Sequence, residues 1–295
     1  MMPASLTAGL DWVRAASVAE AVAALAKYGP DAALVAGGTD LYVLMRSNAR
    51  RPRVVVSIAA IPGLGRIEDA GRTVAIGAAL THSRLAAAPA LARFAALTRA
   101  ASAIGSPQVR NVATLGGNIA NASPAGDLYP PLLALEARVT LAGPGSTREV
   151  GLDDFVKGPG RTSLGPAELL TAASFATPEG VFHSGFAKIG LRNAVAISVA
   201  NCAIFATAAG GKLKEVRLAC GAVAPRPIRM RAAERLLAGE RPGSELVAEA
   251  SRAASAECDP ITDLRATAAY RRHVVGVLVA RLVEAAWRDL EGRAG

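Results

Sequence analysis

Val18, Val22 and Leu25 recur at three- and four-residue intervals behind Ser17, which predicts a helix over 18–28 capped by that serine and ended by Gly29. A short apolar strand is expected at 32–36, followed by the turn Gly37-Gly38-Thr39-Asp40 and a helix from about Leu41. Residues 53–58 are largely β-branched and form a second candidate strand. This α-β-α-β opening with short connections predicts a small α/β subdomain. From 64 to 79 the pattern is strand, turn at Gly71, strand. Thr81 and Ser83 offer helix caps, and 91–103 carries a longer helical pattern. The stretch 105–127 is so rich in Gly and Asn that it reads as irregular. Residues 136–141 are expected as a strand, and 158–166, with two Pro and three Gly, as an exposed loop.

The texture changes after about Gly180. Segments 185–189, 197–209 and 212–222 read as antiparallel strands, the last two joined through Gly210-Gly211. Helices are expected at 231–237, 245–257 and 267–290, the last with Val274, Leu278 and Leu282 at four-residue spacing. The fold class is therefore α+β, with a boundary near 178. Residues 1–178 make a first domain, with subdomains of about 1–58 and 59–178. Residues 179–295 make a smaller α+β domain built on a three-stranded antiparallel sheet.

Composition narrows the function classes. Hydrophobic residues make up 52% of the chain, enough for a substantial core. Aromatics are only 4%, so Ala, Val, Leu and Ile must build that core. The net charge of +9 comes from scattered basic residues without a run of five. With few aromatics to stack bases, a nucleic-acid partner is disfavoured against a solvated basic face or an acidic protein partner. The most apolar stretch, 194–209, is broken by Ser198, Asn201 and Thr207, so no membrane span is expected. No secretory signal pattern opens the chain, and a reduced, cytoplasmic setting is expected. Cys202, Cys220 and Cys258 are far apart, and His82, His183 and His273 are isolated. Neither set has metal-ligand spacing, and both read as structural. Asp153-Asp154 reads as a helix cap and its neighbour rather than an acid/base pair.

Two glycine turns carry the candidate chemistry. The first runs LVAGGTDL, residues 34–41, and the second TLGGNIANASPAGD, residues 114–127. Paired glycines permit positive φ and let backbone N–H groups face one concavity, a nest suited to phosphate or pyrophosphate. Thr39, Thr114 and Ser123 add hydroxyls, Asn118 and Asn121 add amides, and Asp127 can accept from sugar hydroxyls. Neither GxxxxGK(S/T) nor GxGxxG is present.

Together with residues 104–113, which lead into the second turn, and with GPAELL at 165–170 and FAKIGLR at 186–192, these strings resemble the FAD-binding subunits of molybdenum hydroxylases. These are proteins of the xanthine dehydrogenase and carbon monoxide dehydrogenase type with a PCMH-type FAD-binding domain. The resemblance covers nearly the whole chain, and implies an oxidoreductase subunit that binds noncovalent FAD. Leu34, Val35, Ala36, Gly37, Gly38, Thr39, Asp40 and Leu41 would wrap the FAD pyrophosphate. Thr114, Gly116, Gly117 and Asn118 would grip the diphosphate and ribityl side. Asn121, Ser123 and Asp127 would hold ribityl and ribose hydroxyls. Leu170 matches an apolar contact to the flavin or adenine end. Lys188 matches a lysine near the flavin's polar edge, where it would favour the reduced form. Ile104 is expected at the cofactor, where some relatives place an aromatic over the flavin, so aromatic stacking is not carried over. Ala33 stands where some place a lysine, and that adenosine-end contact is not carried over either. The resemblance further implies a large molybdenum-cofactor subunit and a small subunit with two 2Fe-2S clusters, in a dimer of heterotrimers. Electrons would pass through FAD to NAD⁺, O₂, a quinone or a carrier protein. A stand-alone reductase of the UDP-N-acetylenolpyruvoylglucosamine reductase type, or a non-catalytic nucleotide-binding protein, are the competing readings.

Overall fold

The computed structural model describes residues 9–293. The N-terminal unit is a three-stranded parallel sheet in which Val54–Ser57 lies between Asp11–Arg14 and Ala32–Val35. The helix Val18–Tyr28 crosses one face, with Ser17 accepting from the Glu20 N–H and Gly29 closing it at φ 53°. Ala21, Val22 and Leu25 bury against Val54 and Val56, while Val55 faces Ala33, Val35, Leu41 and Met45 on the other side. Burial on both faces explains the uninterrupted Val54-Val55-Val56 run. The first strand, Asp11–Arg14, was not expected: it is an edge strand, largely exposed, and gives no apolar signal.

The middle unit is a five-stranded antiparallel sheet ordered Ile67–Asp69, Thr73–Gly77, Leu169–Ala176, Arg138–Gly143, Ser146–Gly151. Its central strand comes from far along the chain, and neither it nor Ser146–Gly151 was expected. The helical pattern at 91–103 resolves into a 3-10 turn, Pro89–Leu91, and a helix, Ala95–Ala103. The stretch 105–127 is a correction. It contains two short helices, Pro107–Val112 capped by Ser106 and Leu115–Asn121 capped by Thr114. Residues 158–166 are also not wholly loop, since Val156–Gly158 pairs with Arg161–Thr162. Asp153 and Asp154 lie in the first turn of Leu152–Phe155, whose N-cap is Gly151, so neither caps that helix.

The C-terminal sheet has four strands, not three: Phe182–Gly190, Ser198–Ala209, Lys212–Gly221 and a two-residue edge, Ile228–Arg229. Gly210 and Gly211, at φ 58° and 71°, make the hairpin turn. Helices Arg231–Leu237, Ser244–Glu257 and Ala268–Arg293 cover one face. The other face presents Phe186, Ala203, Phe205 and Ala219 to the core of the middle unit. Phe94 stacks on Phe182 at 5.5 Å between centroids and meets Phe175 edge-on at 4.9 Å, an aromatic joint between the two sheets. With both faces covered, Ser198 to Ala206 is buried without a break.

Arg271, 2% exposed, holds this end together. Its Nη1 donates to the Val199 and Ala222 carbonyls at 2.7 and 2.9 Å, and its Nη2 to Asp263 at 2.8 Å. Arg271→Ala would remove the side-chain donor from the buried Val199 carbonyl and the half-buried Ala222 carbonyl, and a cation from Asp263. The expected loss is on the order of 3 kcal/mol of unfolding free energy by urea denaturation. A loss below about 0.5 kcal/mol would mean that those groups find other partners. Among the described residues no helix is long and apolar enough to cross a membrane.

Candidate functional site

A cleft of about 1220 Å³ runs between the N-terminal and middle units and is bordered by residues 195–197, the connection between two strands of the C-terminal unit. This exceeds the roughly 300–1,000 Å³ of ordinary small-molecule sites and suits an elongated ligand. Leu34 to Leu41, Ile104, Thr114, Gly116, Gly117, Asn118, Asn121, Ser123, Asp127 and Leu170 all line it. Lys188 does not.

The first glycine turn leaves the strand Ala32–Val35 and enters the helix Leu41–Arg46. A Cβ on Gly37 would sit 2.0 Å from the Val112 carbonyl oxygen, so the loop packs backbone to backbone on the end of Pro107–Val112. Gly38 has φ +73°, which a side chain adopts only with strain. Among the described residues, the amides of Gly37, Gly38, Thr39, Asp40 and Leu41 donate to no protein acceptor. They form the row of free donors that an anionic group needs.

The second turn works differently. It is the start of the helix Leu115–Asn121, and its amides are already engaged. Leu115 and Gly116 donate to the Leu80 and Ala78 carbonyls at 2.9 and 2.8 Å. Gly117 donates to Thr114 Oγ1 at 3.1 Å, and Asn118 to the Thr114 carbonyl at 3.0 Å. Its glycines therefore supply closeness rather than donors. Gly116 lies against Ala78, whose Cβ would be 2.6 Å from an added Cβ. Gly117 is exposed to the cleft, and an added Cβ would meet only Thr114 Oγ1, at 3.1 Å. Asn121 Nδ2 donates to Asp40 Oδ1 at 3.1 Å and ties the two turns together. The Asn118 Oδ1 is enclosed without a partner.

The far wall is held from behind. Asp127, 7% exposed, accepts from Lys188 Nζ, Ser198 Oγ and Asn201 Nδ2, each at 2.6 Å. Lys188 also donates to the Ala103 and Ala196 carbonyls at 3.1 and 3.2 Å. Its ammonium thus joins three segments of the wall instead of projecting into the cleft. Ser123 Oγ accepts from the Ala125 N–H at 3.3 Å and shapes the turn between. Leu170 sits at a bulge of the central strand. Ile104 precedes Gly105, which has φ +48°.

Sequence reasoning missed several lining residues. Glu168 accepts from Arg148 at 2.7 Å through both oxygens and from the Gly165 N–H at 2.6 Å, which fixes 165–168 along the rim. The Arg148 guanidinium holds the Glu168 carboxyl below the usual range. Arg50, bonded to the Ala32 carbonyl, and Val195 to Ile197 also face the cleft. His82, read as structural, lines it too, and burial with Arg110 nearby pushes its pKa down to about 4. A single sequence offers no local signal for any of these, because each becomes a lining residue only through distant packing.

The free amides of the first turn and the bare, exposed backbone at Gly117 fit a pyrophosphate, and the partnerless Asn118 oxygen is an acceptor suited to a hydroxyl beside it, as in a flavin dinucleotide. Comparisons with known proteins agree. Residues 7–176 match the FAD binding domain in molybdopterin dehydrogenase, and residues 186–286 the CO dehydrogenase flavoprotein C-terminal domain. The carbon monoxide dehydrogenase medium chain of Hydrogenophaga pseudoflava is 36% identical over 274 residues, covering 92% of this chain and 94% of that one. The putative xanthine dehydrogenase FAD-binding subunit XdhB of Escherichia coli K12 is 34% identical over 279 residues, with the same coverage. The solved carbon monoxide dehydrogenase of H. pseudoflava lacking the Mo-pyranopterin moiety superposes with a TM-score of 0.92 at 35% identity, over 98% of this chain and 99% of that one. The chain belongs to the family of FAD-binding medium subunits of molybdenum hydroxylases, the oxidoreductases of the carbon monoxide and xanthine dehydrogenase type.

Proposed function

We propose that this chain holds one noncovalent FAD in the cleft and relays electrons from two 2Fe-2S clusters on a small partner subunit to an external acceptor. In this reading a large subunit carries the molybdenum cofactor and oxidises the substrate, and the assembly is a cytoplasmic dimer of heterotrimers. Residues 1–178 make the FAD-binding part, and residues 179–295 close its far wall. The observation that carries the proposal is the row of free amides from Gly37 to Leu41, facing a cleft long enough for a dinucleotide.

When bound, FAD supplies the exchange between one-electron and two-electron donors and acceptors, and the protein supplies position and electrostatics. The first turn would hold the pyrophosphate on its amides, with Thr39 at its edge. Gly116 and Gly117 let the second turn approach without a side chain between, and Thr114 keeps that helix start in place. Asn118 and Asn121 would reach the ribityl side. Leu170 and Ile104 would exclude water at the flavin end. Asp127 already accepts three protein donors, which favours a role in shaping the wall alongside any sugar contact. Lys188, paired with Asp127 at 2.6 Å, supports a positioning role over a direct electrostatic one.

Gly117 is the glycine to test, because Gly37 and Gly116 are pinned by backbone packing whereas an added Cβ at Gly117 meets only the Thr114 hydroxyl. Gly117→Val should still fold, with at most a small drop in melting temperature from its contact on the Thr114 hydroxyl, yet bind FAD at least about tenfold more weakly in a fluorescence titration. Full FAD affinity in that variant would place the ligand elsewhere.

Lys188→Met separates position from charge. Loss of the tie to Asp127, Ala103 and Ala196 should weaken FAD binding several-fold. Because the ammonium is already neutralised by a carboxylate, the midpoint potential of bound flavin should move by less than about 20 mV. A larger downward shift in spectroelectrochemical titration would return Lys188 to the flavin's polar edge.

Purification of the chain from its native source should bring with it a large molybdenum subunit and a small iron–sulfur subunit. A fully active species containing this chain alone would defeat the relay reading.

A further inference from the structure

His82 is the one histidine on the cleft, and its surroundings are specific. It opens the helix His82–Ala86, capped by Thr81, and is 1% exposed. Its backbone N–H donates to the Ala113 carbonyl at 3.0 Å, and Thr81 pairs with Thr114 across an isolated bridge. Ala113 is also where Gly37 makes its close approach, with an added Cβ 2.9 Å from the Ala113 Cα. His82 therefore lies at the seam where the two glycine turns meet.

The ring itself has no protein partner. Nδ1 is enclosed with no hydrogen bond, and among the described residues Nε2 has none either. Nε2 is not enclosed and so is the ring nitrogen open to the cleft, where a donor without a protein partner is available to a ligand. Asn118 Oδ1, on the same cleft, is enclosed and unbonded. The two partnerless side chains belong to the two segments that flank the free amides of the first turn.

We infer that His82 is a binding residue for the pyrophosphate of the dinucleotide, its Nε2–H donating to a phosphate oxygen held by the amides of Gly37 to Leu41. This rests on the FAD reading above and adds to it a side-chain donor from a third segment of the chain. The imidazole is neutral in the free protein, since burial and the Arg110 guanidinium hold it unprotonated. It therefore offers one directed donor and no net charge. A bond from a neutral donor to a charged oxygen belongs to the stronger class of hydrogen bonds. Three chain segments would then converge on one group: backbone amides from 37–41, close approach at Gly117, and the imidazole from 82.

The test uses the full chain stripped of flavin and titrated with FAD. Wild type is expected to bind, and failure to bind would remove the FAD reading itself rather than this inference. His82→Phe keeps the ring and removes the donor, and should raise the Kd for FAD by roughly 10- to 100-fold. His82→Gln puts an amide nitrogen close to the former Nε2 and should stay within a few-fold of wild type. His82→Asn reaches only the Nδ1 position and should behave as His82→Phe does. Melting temperatures of the flavin-free proteins exclude a folding defect as the cause. At saturating FAD, the ³¹P resonances of the bound pyrophosphate should differ between wild type and His82→Phe and coincide between wild type and His82→Gln. An unchanged Kd in a folded His82→Phe would overturn the inference. So would weaker binding with unmoved ³¹P resonances, or failure of a folded His82→Gln to recover affinity.

Discussion

The approach of Gly37 to the backbone of Val112 and Ala113 is the contact on which the site depends. An added Cβ would lie 2.0 Å from a carbonyl oxygen there, a distance no side chain tolerates. With that side of the loop pressed against a neighbouring helix end, its amides have only the cleft to face. The same helix end delivers the chain into Thr114 and the second turn, where Gly116 lies equally close to Ala78. The two turns are thus seated by what they lack, and the Asn121–Asp40 bond closes the joint between them. Apolar packing supports the seam from below: Ala142 and Leu169 of the middle sheet share a cluster with Ala21, Val22 and Leu25 of the first helix. A site held in this way is preorganised, so binding does not have to order it.

Electrostatics follow the same plan. Of the three carboxylates on the cleft, Asp40 is tied to the Asn121 amide, and the other two have cations behind them, Asp127 with Lys188 and Glu168 with Arg148. Left unpaired, they would repel a dianionic pyrophosphate. Neutralised from outside, they serve instead as anchors for the wall. The Asp127 cluster also explains why the C-terminal sheet matters to a cleft formed mainly by the other two units. Lys188, Ser198 and Asn201 all belong to that sheet or the start of its second strand, and all three donate to one carboxylate. The phenylalanine joint at Phe94, Phe175, Phe182 and Phe205 holds the sheet in register with the middle unit. Four of the chain's six phenylalanines lie there, a concentrated use of a scarce residue.

What could be read along the chain rested on local chemistry. The helix Val18–Tyr28 has its serine cap, its apolar face and its terminal glycine within one stretch. The Gly210-Gly211 hairpin and the helices at 231, 244 and 268 are of the same kind, since their contacts span few residues. The two glycine turns were legible because positive φ and close approach leave a mark on sequence that packing alone does not. The short helices Pro107–Val112 and Leu115–Asn121 were hidden because six or seven residues do not form a helix alone, and the second is also rich in Gly and Asn. They are held by Ser106 and Thr114 and by carbonyls of residues 78 and 80.

The amino-acid sequence by itself determined the α+β class, the two glycine turns and the resemblance that places the chain among flavin-binding subunits. Those properties reside in short-range pattern and in residue identity. Tertiary structure decided the rest. It set the central strand Leu169–Ala176 between strands drawn from residues 73–77 and 138–143, a pairing that no local pattern encodes. It turned Lys188 back onto Asp127 and away from the cleft, and it brought His82, otherwise an ordinary core histidine, to the seam between the turns. In both cases the outcome depends on which partners distant segments bring within 3 Å, and hydrogen bonds of that length depend on geometry that sequence spacing does not carry.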